Sequence, residues 1–219
     1  MQDVSTGYAG RGGARAAVST TTLLGQVMFL VAVALAFTVA GTYIGRDLTD
    51  GTAFILFLAG FGMLLVQGFV ERLRVGTFAI AWLYAIALLI GLGLGPAIGY
   101  LVENDPSTVT QAAGATALIT LGMGAGGFAL SKDLSGWMRP LSFVILGCVV
   151  VSFVMLLFSS GGNPILSAII AIVSALLIAV DFNYLRKHGT GDDAVWLATG
   201  IFVSIINIFL SLLNLFGRS

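Results

Sequence analysis

Seven times between residues 20 and 217 the sequence runs apolar for roughly the 20 residues that a helix needs to cross the hydrocarbon of a bilayer. The runs lie at about 22–45, 52–70, 75–102, 107–131, 140–160, 164–186 and 194–217. Charged side chains make up only 9% of the chain, against about 25% in an ordinary soluble domain. The expected fold class is therefore an all-α integral membrane protein with seven transmembrane helices. No linker is long enough to hold a soluble catalytic domain, so residues 21–217 are expected to form one helical bundle.

Residues 1–20, MQDVSTGYAGRGGARAAVST, are small, polar and basic, with no apolar stretch before a small-residue cleavage site. They read as a flexible tail rather than a secretory signal. The single cysteine, Cys148, excludes a disulfide within the chain. With a net charge of zero and no basic block, nothing points to nucleic acid.

Orientation follows from the cations. An N-terminus in the cytoplasm places Arg11, Arg15, Arg72, Arg74, Lys132, Arg139, Arg186 and Lys187 inside and leaves Arg46 and Arg218 outside, as the positive-inside rule requires. The C-terminus then lies outside a plasma membrane, the bacterial inner membrane in the reading developed below.

Two segments are dense in glycine: GLGLGPAIGY (91–100) and GMGAGGFA (122–129). Small residues let helix backbones approach where lipid offers no hydrophobic drive. Gly95 and Pro96 are expected to pack closely or to kink helix 3 beside a cavity, since proline frees a carbonyl one turn earlier.

Nine of the ten acidic residues fall in the tail or in loops, and only Asp181 falls inside an apolar run. A carboxylate at a helix centre costs about 2.5–3.5 kcal/mol on insertion scales, and less toward the interface. Asp181 lies five residues before Arg186, about 7.5 Å along the axis. Such a group must be neutral, paired with a cation, or hydrated. Arg72, Arg74 and Arg186 are the candidate salt-bridge partners.

Ser167, Ala171, Ser174, Ile178 and Asp181 share one stripe of helix 6, and Gly200, Ser204, Asn207, Ser211 and Asn214 share one stripe of helix 7. Interhelical hydrogen bonding alone, at about 0.6 kcal/mol a pair, is one reading of these stripes. A cation or proton site at Asp181, Ser204 and Asn207 is the other. His188 reads as a solvated loop residue without metal partners. Lacking a Ser/His pair, a zinc-protease signature or a second intramembrane acid, the chain is not expected to be an enzyme.

GLGLGPAIGYLV (91–102), KDLSGWMRPL (132–141), VDFNYLRKHG (180–189) and SIINIFLSLLNLFG (204–217), in this order, resemble the Bax inhibitor family, also called the transmembrane Bax inhibitor motif family. The resemblance covers essentially residues 20–217. It implies helix 7 at the centre wrapped by the other six, and a pH-regulated cation leak, chiefly for Ca²⁺. In the calcium-leak members an aspartate from helix 6 and another from helix 7 share protons; Asp181 matches the first, and Ser204 stands at the second. A lone acid lacks the coupled titration of a pair. With Ser204, Asn207, carbonyls and water it would hold Ca²⁺ weakly, because that ion takes about six to eight oxygens.

The single-acid pattern looks more like the bacterial YccA-like branch, whose members are associated with a membrane AAA protease of the FtsH type. On that likeness the chain is expected either to leak cations, with Ca²⁺ or H⁺ as the moving or regulatory ion and no resident cofactor, or to act as a non-transporting modulator of such a protease or accessory of a membrane complex. The tail would then be the segment gripped. A small-solute transporter gated at helix 3 is a third alternative.

Overall fold

The computed structural model describes residues 19–158 and 163–217. It contains seven helices long and apolar enough to span a membrane: α1 (Thr20–Gly45), α2 (Asp50–Phe69), α3 (Thr77–Asn104), α4 (Pro106–Ala129), α5 (Met138–Phe158), α6 (Pro164–Lys187) and α7 (Ala194–Phe216). Among the described residues there is no strand. The tail expected at residues 1–20 lies, apart from Ser19 and Thr20, outside the described residues.

Helix starts follow local chemistry. Ser19 Oγ accepts from Thr22 N at 3.2 Å and Thr49 Oγ1 from Thr52 N at 3.4 Å. Asn163 Oδ1 takes the amides of Ile165 and Leu166 at 2.9 and 3.2 Å, ahead of Pro164 at the first helical position. In each case a side chain satisfies donors that a helix N-terminus leaves open. Asp105 does the same for α4, and its bonds to Thr108 and Ser107 hold its carboxyl below the usual carboxylate range.

Successive helices reverse direction, which divides the charges between two ends. One end, here the basic end, carries Arg72, Arg74, Lys132, Arg139, Arg186 and Lys187; the other carries Arg46, Asp47, Asp50, Glu103 and Asp105.

Burial ranks the helices. Two-thirds of the α7 span is buried (67%) and none of the α5 span (0%), so α7 is central and α5 peripheral. Against α7 pack α1, α3, α4 and α6. The ring of six is not uniformly tight: α2 reaches α7 through the bond from Gln67 Nε2 to Thr199 Oγ1 (3.2 Å) at the basic end, and further along α2 and α5 face α7 across a cavity.

Glycines set the closest approaches. Gly41 and Gly45 of α1 oppose Gly91 and Gly95 of α3, where any Cβ would run into the partner's backbone. Gly127 of α4 does the same against the backbone of Ala179 of α6, and Gly124 lies against the Phe182 ring. The close-packing reading of both glycine-dense segments holds here. Helix α3 continues through Pro96 to Asn104, and neither Gly95 nor Pro96 borders the cavity. At Gly95 the close-packing alternative is the one the backbone contacts support, since a Cβ there would meet the backbone of Gly45.

Candidate functional site

The cavity has a volume of about 1200 Å³ and lies between α2, α5, α6 and α7. It opens among the short segments of the basic end, where Glu71, Arg74, Ser135, Arg139, Asp192 and Asp193 form its mouth. Asp181, Thr199, Ser204 and Asn207 stand on the α6–α7 wall. All three members of the sequence-derived site therefore border one space.

Asp181 sits six residues before the end of α6, about 9 Å along the axis from the basic end. Its residue is only 6% exposed. Gly200 of α7 faces it: a Cβ at that position would lie 3.1 Å from Asp181 Oδ2. A residue without a side chain is thus what lets the carboxylate rest against α7.

What the carboxylate touches is the informative point. Among the described residues Asp181 accepts no hydrogen bond and joins no ion pair, and neither Ser204 nor Asn207 is bonded to another side chain. The Ser174 hydroxyl, fully buried one stripe-step beyond Ile178, has no partner either. Further along the seam Ser167 Oγ donates to Asn214 Oδ1 at 3.2 Å. The stripes of α6 and α7 thus meet as expected, but only their far end is closed by a direct interhelical bond. Burial without a partner costs a polar group about 1–3 kcal/mol, and more for a charge, so these groups are suited to water or an ion.

The three arginines expected beside Asp181 are elsewhere. Arg74 donates through Nε to Gln67 O at 3.0 Å and through Nη2 to Gly68 O, with its guanidinium 4.5 Å from the Trp196 ring centre. Arg186 donates to Leu130 O and lies over Phe128. Arg72 forms no ion pair among the described residues. The physical reason lies in the helix ends: the last carbonyls of a helix have no donor of their own, and those of α2 and the segment after α4 take these side chains.

Several structural groups escaped the sequence reading. Asn183, fully buried, donates to the carbonyls of Gly127, Leu130 and Lys132 at 3.0–3.2 Å and accepts from Leu134 N at 2.8 Å. It fastens the α4–α5 connection to α6. Lys187 adds a bond to Ser131 O. His188 pairs with Asp133 at 2.7 Å, and bonds from Ser135 and His188 pull the Asp133 carboxyl down to about 2. His188 is a partly exposed residue just past α6, as expected, and its pairing with Asp133 is what the sequence did not show. A polar residue two places from Asp181 inside an apolar run was the available signal for Asn183.

Among the described residues no three of His, Cys, Asp and Glu converge as metal ligands. The wall offers one carboxylate, an amide and two hydroxyls, a set that attracts a cation without enclosing it.

Comparison with known proteins agrees with this architecture. The family model described as Inhibitor of apoptosis-promoting Bax1 matches residues 20–219. An uncharacterised protein of Pseudomonas aeruginosa is 29% identical over 195 residues, 86% of this chain and 85% of its own. An uncharacterised membrane protein of Vibrio cholerae is 27% identical over 170 residues, covering 75% of this chain and 74% of its own. One from Streptococcus pyogenes serotype M3 is 32% identical over 130 residues, 54% and 56% of the two chains.

Proposed function

The chain belongs to the Bax inhibitor family, and from that premise we propose that it is a slow, proton-sensitive cation leak of a bacterial inner membrane. The basic end faces the cytoplasm, in keeping with the distribution of Lys and Arg. Cations enter the mouth between α2, α5 and α7, are drawn by Asp181, and exchange part of their hydration for the oxygens of Ser204 and Asn207. Ca²⁺ is the ion to test first, held weakly because a single carboxylate faces it.

The observation that supports this most is the unpaired state of Asp181: a carboxylate 6% exposed, on a cavity wall, with no hydrogen bond or ion pair among the described residues. A group that only fixed helix packing would be bonded across the interface, as Asn183 and Gln67 are. Further toward the far end the lining turns apolar at Leu177, Ile206 and Leu210, in keeping with slow conduction.

The same observation assigns a sign to the pH response. Proton binding to Asp181 cancels the attraction for cations. It releases no arginine latch, since the guanidiniums of Arg74 and Arg186 are bonded to carbonyls. The other charged groups on the lining, Glu71, Arg74, Arg139, Asp192 and Asp193, lie at the mouth. Flux should therefore fall on acidification. In liposomes loaded with a Ca²⁺ dye, the purified protein is expected to give a flux that drops with pH, and Asp181→Asn a flux at least about tenfold lower and flat with pH. Equal flux in both proteins at every pH refutes the reading.

A further inference from the structure

A small hydrated ion does not account for the space beside Asp181. Its volume of about 1200 Å³ exceeds the roughly 300–1,000 Å³ usual for pockets that enclose drug-sized molecules. The wall facing Asp181, Ser204 and Asn207 is apolar and partly aromatic, with Phe57, Phe61 and Leu64 from α2 and Phe143, Leu146 and Val149 from α5. Helices α2 and α5 share no extended interface. Phe143 of α5 borders the cavity and is 73% exposed. With α2 and α5 not packed together, a sideways route from the bilayer would pass between them.

We infer that this cavity binds a lipophilic organic ammonium compound, its cationic nitrogen against Asp181 and its apolar body between α2 and α5. Charge complementarity selects this class. Asp181 is the one carboxylate on the helical wall, and on the lining it is joined only by the mouth's three acids, Glu71, Asp192 and Asp193, set against two arginines, Arg74 and Arg139. A neutral lipid chain would fill the apolar half and leave the carboxylate unmatched. An anionic amphiphile would bring like charge to it, which in low dielectric is strongly unfavourable. An ammonium group matches the carboxylate and can donate its N–H groups to Ser204 Oγ and Asn207 Oδ1 as well.

The axial arrangement fits an amphiphile. Gly200, level with Asp181, is ten residues from Leu210 at the deep end of the cavity, about 15 Å of helix. A ligand whose head lies at Asp181, about 9 Å from the basic end, extends its apolar part toward the bilayer middle. That is the orientation it already has in the leaflet, so entry between α2 and α5 needs no inversion.

The inference shares Asp181 with the leak reading but does not depend on conduction. The test uses the full-length protein in phosphatidylcholine nanodiscs, with empty nanodiscs to subtract partition into lipid. Three probes of one shape are titrated at pH 7.5, with tryptophan fluorescence as readout because Trp196 borders the mouth: 4-phenylbutylamine, 4-phenylbutan-1-ol and 4-phenylbutanoate. The amine is expected to bind about tenfold or more tighter than the alcohol, and the carboxylate weakest. Asp181→Asn should erase the preference of amine over alcohol, and Phe61→Ala should weaken both while keeping it. Equal binding of amine and alcohol to the wild type overturns the inference without any variant, as does an amine preference that survives Asp181→Asn. If the amine preference holds while Ca²⁺ flux ignores Asp181, the leak reading falls and this one stands; Asp181-dependent flux with no amine preference gives the reverse.

Discussion

A methyl group at position 200 would lie 3.1 Å from Asp181 Oδ2, tighter than ordinary contact, so Gly200→Ala must push the carboxylate away from α7. Alanine in place of a helical glycine otherwise favours the helix, by up to about 1 kcal/mol. The variant should melt no lower than the wild type and yet conduct Ca²⁺ several-fold more slowly in the liposome assay. Unchanged flux would mean that the carboxyl does not work from the position it occupies against α7. At this scale the sequence revealed what was unusual in one run and not what was paired across runs. Asp181 stood out because a charge in an apolar helix is rare. The His188–Asp133 pair did not, because 55 positions separate its members. Of the arginines that were candidate partners for Asp181, Arg74 and Arg186 are taken instead by open carbonyls at the ends of α2 and α4.

At the scale of elements, lipid and protein interior are equally apolar, so a helix's composition says little about which face is buried. All seven spans were placed to within about two residues of the observed helices, yet the peripheral position of α5 and the cavity beside it had no counterpart in hydropathy. The stripe of Gly200, Ser204, Asn207, Ser211 and Asn214 was legible, whereas Ile201, Phe202 and Ile208 on the remaining faces of α7 are buried more completely still, because α7 is central and has no outer face there. Glycines show the same limit: GMGAGGFA was legible as a packing segment, but not which glycine does the packing. In the structure Gly127 lies against the backbone of Ala179, and Gly122 meets nothing. Gly127→Ala is thus expected to cost about 1–3 kcal/mol by overpacking and Gly122→Ala to be neutral or stabilising by up to about 1 kcal/mol, measured as the shift in the denaturing-detergent unfolding midpoint. A larger loss at Gly122 than at Gly127 would contradict the α4–α6 contact.

For the whole molecule, the account rests on a water-accessible cavity that enters from the basic end and passes Asp181, Ser204 and Asn207 on its α7 side. The number of spans and the charge division between the ends were readable from the chain; the cavity was not, because it arises from how far α2 and α5 stand from α7. Substituted-cysteine labelling tests it most directly. In a Cys148→Ser background, Asn207→Cys and Ile208→Cys differ by one residue on the same helix, the first on the cavity wall and the second fully buried on another face. A membrane-impermeant cationic methanethiosulfonate applied to the basic end is predicted to modify the cysteine at 207 rapidly and the one at 208 at least about tenfold more slowly. Equal rates at the two positions, or no modification at 207, would contradict the account.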